Sequence, residues 1–511
     1  MPDETVSRDD ARLLYDRGIP QILATRLVAD LETPVSAYLK LTGGQPGSFL
    51  LESVEGGAVR GRYTIIGFAP DLIWRCHGNR AERAQITPGQ PAHFMPDDLP
   101  AMQALRRLLK ESLIDLPQDL PPMAAGLVGY MGYDMVRLME DLGPGNPDPY
   151  GLPTALFLRP TMMAIFDQVT DRITLVTPLR PDAEISADAA YDAGFLRLQS
   201  AMEALSKPLP MIRAKNGSKN AAQAEITSHT GLDRYRQMVA SAKEHMAAGD
   251  IFQVVLSQRF SVPFTLPPFA LYRTLRRLNP SPFLYFLNFE EAALVGSSPE
   301  ILVRARDGDV TIRPIAGTRP RGKDATEDEA LAADLLSDPK ELSEHLMLLD
   351  LGRNDVGRVA IPGTVKVTQR NLVEKYSHVM HIVSNVTGRL DEEKFDSVAA
   401  LEAGFPAGTV SGAPKIRAME IIDELESEGR GPYAGAVGYF AANGSMDTCI
   451  VLRTAVVKDG VMHVHAGAGL VADSVPEMEH QECENKAKAL FRAAEEAVRF
   501  AQLPGHGPKL D

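Results

Sequence analysis

Two pairs of glutamates stand three residues apart on segments with helical patterns. Glu341 and Glu344 lie in KELSEHLMLLDLG, and Glu479 and Glu482 lie in PEMEHQECENKAKALF. Residues three apart share a helix face, so each pair presents its carboxylates together. Most such pairs are solvated surface in a chain with 67 acidic residues, but the apolar residues around Glu344 predict partial burial. A buried carboxylate needs a cation, and carboxylates without nearby thiolates favour Mg²⁺ bridging to an anionic substrate.

A glycine-rich segment, GFPAGTVSGAPK, leads into an amphipathic helical pattern, with Pro414 suited to the first helical position. Free N–H groups at such a helix start attract carboxylate or phosphate, although many Gly-Pro loops only turn the chain. Gly467 and Gly469 in HAGAGLVADS allow backbone N–H groups to approach a ligand, although the spacing is common in bulges and turns. Arg453 lies in a strand-like run, where it either forms a structural ion pair or clamps a carboxylate.

Composition excludes several classes of protein. Lys plus Arg total 53 against 67 Asp plus Glu, a net charge of −14, which is the wrong sign for nucleic-acid binding. Three scattered cysteines, Cys76, Cys449 and Cys483, predict neither a disulfide framework nor a zinc site and fit a reducing cytoplasm. The polar first residues and the absence of a long apolar run predict a protein that is neither exported nor membrane-embedded.

The elements that must position these residues alternate between strand-like and helical patterns. Runs such as YTIIGFA, IFQVVLSQRFSV and TCIVLRTAVV are rich in β-branched residues and are joined by short turns, whereas MQALRRLLKESL has helical spacing. We therefore expect an antiparallel α+β protein. We divide it into an N-terminal α+β region (1–205), a polar linker (206–230), a region that carries the motifs (231–498) and a loose tail (499–511).

Five segments occur in an order that resembles the chorismate-utilising enzymes: GDIFQVVLSQ, PIAGTRPRG, SEHLMLLDLGRND, GFPAGTVSGAPK and HQECENK. The similarity covers about residues 230–495 and is weaker upstream. It implies antiparallel sheets packed as a β-sandwich with helices on the outside, chorismate as substrate and Mg²⁺ as cofactor. By matched position it implies Glu344 and Glu482 as direct metal ligands, with Glu341 and Glu479 as supporting groups.

The resemblance also assigns the remaining site residues. Glu300, in GSSPEIL, matches the general acid of the family, and His381 matches a histidine linked to pyruvate elimination and aromatisation. Without the resemblance, Glu300 is an ordinary strand-end glutamate and His381 a satisfied core histidine. The PIAGTRPRG segment places Thr318 in the catalytic set. The residues implied to hold the substrate are Ala316, Gly317, Thr409, Tyr433, Arg453, Gly467, Gly469 and Lys486.

Two positions indicate which reaction the resemblance implies. Members that add water have a lysine base at the position of Gln253, and glutamine cannot act as that base. Members that make 4-amino-4-deoxychorismate carry a nucleophilic lysine at the position of Ala316, and a methyl group cannot attack a ring. Both absences favour ammonia as the group added at C2, followed by loss of pyruvate to give anthranilate. Gln253 is therefore counted with the catalytic residues.

The resemblance further implies a partner and an inhibitor. None of the cysteines lies in a glutaminase-like G-x-C-x-G turn, so a separate glutamine amidotransferase subunit is expected to supply ammonia. LLESVE resembles the tryptophan feedback motif of the family, although it also reads as a strand and turn. The residues expected around tryptophan are Glu52, Ser53, Pro282, Phe283, Leu284 and Cys449, where Phe283 replaces the Tyr common at that position.

Three alternatives remain open from the sequence. One is a 2-amino-2-deoxyisochorismate synthase that retains pyruvate, against which His381 argues. The second is a catalytically silent tryptophan-binding regulator, disfavoured because the acid, metal and carboxylate-binding residues are all present. The third is a carboxylate-rich protein that binds a divalent ion without chorismate.

Overall fold

The computed structural model describes residues 6–55, 59–121, 123–209, 225–376 and 379–502. Its α-helices are α1 (Arg8–Asp16), α2 (Pro34–Thr42), α3 (Ala101–Glu111), α4 (Ala187–Ser206), α5 (Leu232–Ala248), α6 (Pro268–Leu278), α7 (Ala325–Ser337), α8 (Pro339–Gly357), α9 (Ser397–Gly404), α10 (Lys415–Leu425) and α11 (Pro476–Gln502). Short 3₁₀ turns span Tyr133–Leu138 and Gly408–Val410.

The strands are β1 (Gln21–Val28), β2 (Ser48–Glu55), β3 (Val59–His77), β4 (Arg80–Gln85), β5 (Met95–Pro100), β6 (Gly126–Met131), β7 (Ala155–Asp167), β8 (Arg172–Leu179), β9 (Thr227–Ser228), β10 (Gln253–Pro263), β11 (Phe283–Asn288), β12 (Ala293–Ser298), β13 (Ile301–Arg306), β14 (Asp309–Ile312), β15 (Ile315–Pro320), β16 (Lys366–Lys375), β17 (Val379–Arg389), β18 (Gly412–Ala413), β19 (Ala436–Ala441), β20 (Met446–Ile450), β21 (Thr454–Lys458) and β22 (Val461–Leu470).

The strands of the described residues form one hydrogen-bonded network in which neighbouring strands run antiparallel. The longest pairing at the centre of the C-terminal half joins β10 to β22 over ten positions, from Val254 opposite Leu470 to Pro263 opposite Val461. The β-branched and aromatic residues of these segments favour extended chains that pack on both faces. The prediction of an antiparallel α+β fold is confirmed.

Two large apolar cores lie against the strands. One core is built mainly of strand side chains, among them Ile65, Leu158 and Leu294. The other core joins strands to helices, with Leu256 of β10 packed in the same cluster as Leu490 of α11. Helices therefore pack against the sheet, as the resemblance to the family implied.

The N-terminal and C-terminal halves share the sheets. β2 pairs with β11, with Glu52 opposite Leu284, and β6 pairs with β19, with Tyr130 opposite Val437. The division into regions at 206–230 stays a prediction about the sequence, and residues 210–224 of that segment lie outside the described residues.

The predicted C-terminal tail begins within α11. This helix continues to Gln502, four residues past the expected boundary at 498, and the ring of Phe500 in its last turn lies 4.8 Å from the guanidinium of Arg277. The rest of the tail, 503–511, lies outside the described residues. Within the part of the chain that the structure describes, no helix is long and apolar enough to span a bilayer.

Both glutamate pairs lie on helices, as predicted. α8 begins after Asp338, whose carboxylate accepts hydrogen bonds from the N–H groups of Lys340 and Glu341 and caps the helix. Pro339 occupies the first position, where its missing N–H costs nothing. α8 packs against β15 and β17, whereas α11 packs against β22, so the two acidic helix starts are held by different strands.

Candidate active site

The floor of the site is the start of β10 and the end of β22. Gln253 opens β10 and is buried, and Gly467 and Gly469 of β22 pair with Ser257 and Val255. A Cβ at Gly469 would come within 2.9 Å of the Gln253 amide nitrogen, and one at Gly467 within 2.7 Å of the Tyr433 hydroxyl. A side chain at Gly467 would crowd both that hydroxyl and the backbone carbonyl of Leu256, and one at Gly469 would displace the Gln253 amide.

The two acidic helices meet at this floor. Burial raises the pKa of Glu344, and the negative charges of Glu341 and Glu482 raise it further. The Gln253 amide donates a hydrogen bond to the Glu344 carboxylate at 3.3 Å. On α11, the Lys486 ammonium lies 2.7 Å from the Glu482 carboxylate and donates to the Gly467 carbonyl at 2.9 Å. The structure thus brings one residue of each predicted pair into electrostatic contact.

The donor set is chemically suited to a hard divalent cation. The side chains are carboxylates, and the mutual repulsion that raises the pKa of Glu344 would be offset by a bound cation. Burial also raises the pKa of Glu479, with Glu482 contributing a like charge. Among the described residues, no three His, Cys, Asp or Glu side chains are already gathered as a metal cluster. The carboxylates fit an ion such as Mg²⁺, whose remaining positions would be filled by water or substrate oxygens.

Glu300 lies in the turn between β12 and β13 and is buried. Burial raises its pKa from 4.5 to about 8, although the Thr409 hydroxyl, 3.3 Å from both carboxyl oxygens, opposes the shift. The carboxyl group therefore holds its proton at neutral pH. A protonated carboxyl beside a hydroxyl donor is suited to general acid catalysis.

β15 and β17 bring His381 beside the PIAGTRPRG segment. The His381 Nδ1 lies 3.0 Å from the Gly317 carbonyl and 3.1 Å from the Thr318 hydroxyl. Because a carbonyl only accepts, Nδ1 carries the proton and Nε2 is left as the free base. Burial lowers the pKa of His381 to about 4, so the ring is neutral near pH 7. Ala316 is buried one residue away, opposite Ile382.

Gly317 allows the chain to turn between Ala316 and Thr318. Its φ is +68°, in a bulge where the register shifts between Ala316 and Thr318. A Cβ there would lie 3.1 Å from a carboxylate oxygen of Glu341. Glycine thus lets the helix that carries the acidic pair approach the strand.

Arg453 lies in the connection between β20 and β21 with φ of +48°. Burial lowers its pKa, and its charge in turn helps to lower the pKa of His381, so its guanidinium lies close enough to the histidine for their charges to interact. Within the described ranges this guanidinium forms neither an ion pair nor a side-chain hydrogen bond. A desolvated cation without an acidic partner is suited to bind a substrate carboxylate.

A buried arginine that the sequence analysis did not single out supports the site. Arg430 is 1% exposed and binds the carboxylate of Glu426, four residues earlier, together with the carbonyls of Val410 and Val255. Its guanidinium also lies 5.7 Å from the ring centre of Tyr433. Arg430 therefore connects the turn that carries Thr409, the strand β10 and the tyrosine predicted to bind substrate. Its one signal in the sequence was a glutamate four residues earlier.

The segment predicted to sense tryptophan has an internal structural role. The buried Glu52 carboxylate accepts a hydrogen bond from the Tyr272 hydroxyl at 2.5 Å and two from Arg276 at 2.7 Å. Ser53 lies against Gly61, where a Cβ would collide with its hydroxyl. These contacts join β2 to α6, and tryptophan binding stays a prediction.

The other residues expected around tryptophan lie nearby in the same sheet. Leu284 stands opposite Glu52 in the pairing of β2 with β11, and Phe283 packs on the core that also contains Cys449. Leu284 and Cys449 are buried, whereas Pro282 and Phe283 are half-buried.

Comparison with known proteins agrees with this arrangement. Residues 69–492 match the family of chorismate binding enzymes. The chain belongs to this family. It is 55% identical to anthranilate synthase component 1 of Cereibacter sphaeroides over 96% of this chain and 98% of that protein. It is 49% identical to the Pseudomonas putida protein of the same name, over 92% of this chain and 94% of that one.

Two solved structures have a similar fold. Anthranilate synthase component I from Streptococcus pneumoniae TIGR4 superposes with a TM-score of 0.74 at 36% identity, covering 91% of this chain and 98% of that one. MenF, the menaquinone-specific isochorismate synthase of Escherichia coli, superposes with a TM-score of 0.69 at 21% identity, covering 94% and 95%. The second likeness concerns the fold alone.

Proposed function

We propose that this protein is an anthranilate synthase component I. It converts chorismate and ammonia to anthranilate and pyruvate, requires Mg²⁺, receives ammonia from a glutamine amidotransferase subunit and is inhibited by tryptophan. The observation that carries the proposal is its identity of 43–55% to eight proteins named anthranilate synthase component 1, over at least 91% of the chain. Gln253 and Ala316, which lack amines, support ammonia as the incoming group.

Substrate binding follows from the charges of the site. The guanidinium of Arg453 and the ammonium of Lys486 would bind the carboxylates of chorismate, and the hydroxyl of Tyr433 would close the same end. Glu344 and Glu482 would hold the metal ion, with Glu341 and Glu479 supporting them. When bound, Mg²⁺ offsets substrate carboxylate charge and orients the ring.

Proton transfer is assigned to two groups whose environments push their pKa values apart. Glu300 keeps its proton at neutral pH and donates it to the C4 hydroxyl as that group leaves. His381 is neutral, with Nε2 unprotonated because Nδ1 donates to Gly317, so it can accept the C2 proton during pyruvate loss. The Thr318 hydroxyl helps fix the ring plane.

An assay of both products tests the proposal. Purified protein is incubated with chorismate, Mg²⁺ and ammonium salt at pH 8.5, and anthranilate is followed by fluorescence while pyruvate is followed with lactate dehydrogenase. Equal rates of the two products are expected, together with loss of activity on chelation and recovery when Mg²⁺ is restored. Chorismate consumption without pyruvate would instead support an aminodeoxyisochorismate synthase, and no consumption would refute the proposal.

A further inference from the structure

Glu374 of β16 carries a carboxylate beside the proposed base His381. The two residues stand directly opposite each other in the antiparallel pairing of β16 with β17. On the other side of β17, Thr318 of β15 also stands opposite His381. Directly opposed residues of antiparallel strands have neighbouring side chains on the same face of the sheet. The imidazole therefore lies between a hydroxyl on one strand and a carboxylate on another.

The Glu374 carboxylate is held at both of its oxygens. The Arg313 guanidinium donates to one oxygen, and the Tyr376 hydroxyl donates to the other at 2.9 Å. Tyr376 is buried, and its ring centre lies 5.6 Å from that of His381. Burial raises the pKa of Tyr376, so its hydroxyl keeps its proton and can donate. Two neighbours thus fix the carboxylate beside the histidine.

Charges of both signs act on the His381 ring. Burial lowers its pKa most, and the cations Arg453 and Lys486 lower it further. The hydrogen bond to Gly317 and the Glu374 carboxylate raise it. Substrate carboxylates bound to the two cations would cancel much of their effect on the ring. The Glu374 carboxylate would then still favour the protonated ring.

Pyruvate loss places a positive charge on this ring. When His381 Nε2 takes the C2 proton, the electrons of the C2–H bond form a ring double bond and the C3–O bond breaks. The leaving enolpyruvate keeps the electron pair of the broken bond. Protonation of its methylene carbon gives pyruvate, and the imidazolium releases its proton to restore the neutral base. A carboxylate fixed in advance beside the developing cation lowers the barrier to this step.

We propose that Glu374, fixed by Arg313 and Tyr376, is a positioning residue that stabilises the His381 imidazolium during pyruvate loss. This inference rests on the proposed function and adds a group that acts through the histidine and not on the substrate. Amination at C2 comes before this step and puts no charge on the ring. Substitution of Glu374 should therefore separate the two halves of the reaction.

The test follows a single turnover, with the protein in excess over chorismate and with Mg²⁺ and ammonium salt present. Glu374→Gln keeps the size of the side chain and a carbonyl oxygen for Arg313, but it removes the negative charge. Formation of anthranilate and pyruvate should slow by about tenfold, while chorismate disappears within threefold of the wild-type rate. The aminated intermediate, 2-amino-2-deoxyisochorismate, should accumulate and is measured by chromatography.

Deuterium at C2 of chorismate provides a readout that a merely structural role would not change. In Glu374→Gln, pyruvate should form more slowly from the deuterated substrate than from the ordinary one, because removal of the C2 proton limits the rate. Chorismate should disappear at the same rate with both substrates. Tyr376→Phe removes the hydroxyl that holds the carboxylate and should give the same accumulation to a smaller degree, which keeps the test available if Glu374→Gln does not fold.

Asp309→Asn is the matched control. Asp309 of β14 and Arg389 of β17 also form an ion pair between opposed residues of neighbouring strands, but both are exposed. This variant should change neither half of the reaction.

The outcomes separate this inference from the proposed function. Accumulation of the intermediate in Glu374→Gln and Tyr376→Phe, with Asp309→Asn like the wild type, supports the role of Glu374. Equal slowing of chorismate loss and pyruvate formation, unchanged rates of both, no isotope effect on pyruvate in Glu374→Gln, or the same accumulation in Asp309→Asn would overturn it. A wild-type protein that forms no anthranilate would refute the proposed function, and this inference with it.

Discussion

Replacement of Glu300 by glutamine tests the proposed acid through both activity and stability. Glutamine keeps the shape and the contact with Thr409 but carries no transferable proton. Loss of a positioned general acid costs roughly 10²–10⁴-fold in rate. Because the acid form is the active one and burial raises its pKa to about 8, wild-type kcat/KM should fall as pH rises through about 8. Glu300→Gln should lack this fall.

The same substitution predicts a pH-dependent gain in stability. The pKa of Glu300 is 4.5 in the unfolded chain and about 8 when buried, so the folded state binds the extra proton between these values. The wild-type free energy of unfolding therefore falls by about 1.4 kcal/mol per pH unit from this group as pH rises through that window. At pH 7 the loss is about 3 kcal/mol, and Glu300→Gln should not suffer it.

Two measurements check these expectations. Rates are measured with free ammonia held constant, since the ammonia fraction of an ammonium salt changes with pH, and unfolding is followed in urea at pH 5, 6, 7 and 8. Glu393→Gln, which replaces an exposed carboxylate, is the control and should change neither quantity. The reasoning is refuted if Glu300→Gln keeps more than a tenth of the wild-type rate, or if its stability parallels that of the wild type at every pH.

Three further predictions concern the metal ligands, the arginine proposed to bind a substrate carboxylate, and the proposed tryptophan site. Glu344→Gln and Glu482→Gln should each lower the rate by on the order of a hundredfold and raise the Mg²⁺ concentration for half-activity, and near-normal turnover in both would contradict the metal assignment. Arg453→Gln should lose about 2–3 kcal/mol of binding free energy for chorismate, measured by calorimetry without ammonia. Arg273→Gln, on α6 and not among the residues of the proposed site, serves as control. Ser53→Phe should leave catalysis intact and weaken inhibition by tryptophan, and unchanged inhibition curves would remove the sensor hypothesis.

Local patterns were sufficient for the elements that carry the acidic pairs. The spacing of Glu341 and Glu344 among leucines predicted α8, because a helix face is determined within a few residues. The capping by Asp338 and the proline at the first helical position were not singled out from the sequence. The start of α10 differs from the prediction, because Pro414 caps the helix and Lys415 is the first helical residue. Ala413 pairs with Gln253 across β18 and β10, so tertiary pairing keeps the chain extended up to the proline.

Long-range contacts could not be read from the sequence. The pairing of β2 with β11 joins Glu52 to a strand more than two hundred residues later, although the polar stretch between them suggested separate regions. The bonds of Arg430 to Val255 and Val410 likewise depend on three distant segments. Periodicity indicates which face of an element is buried, but it does not identify the partner on that face.

The distribution of charge explains why the ion and the substrate should bind together. On one side Glu344 is crowded by the negative charges of Glu341 and Glu482, and on the other side Arg453 is desolvated without an acidic partner among the described residues. A bound cation alone would offset the repulsion around Glu344, and a bound carboxylate alone would pair with Arg453. A substrate anion bridged to a metal ion would satisfy both groups at once. Mg²⁺ should therefore raise the affinity for chorismate, and chorismate should raise the affinity for Mg²⁺ by the same factor.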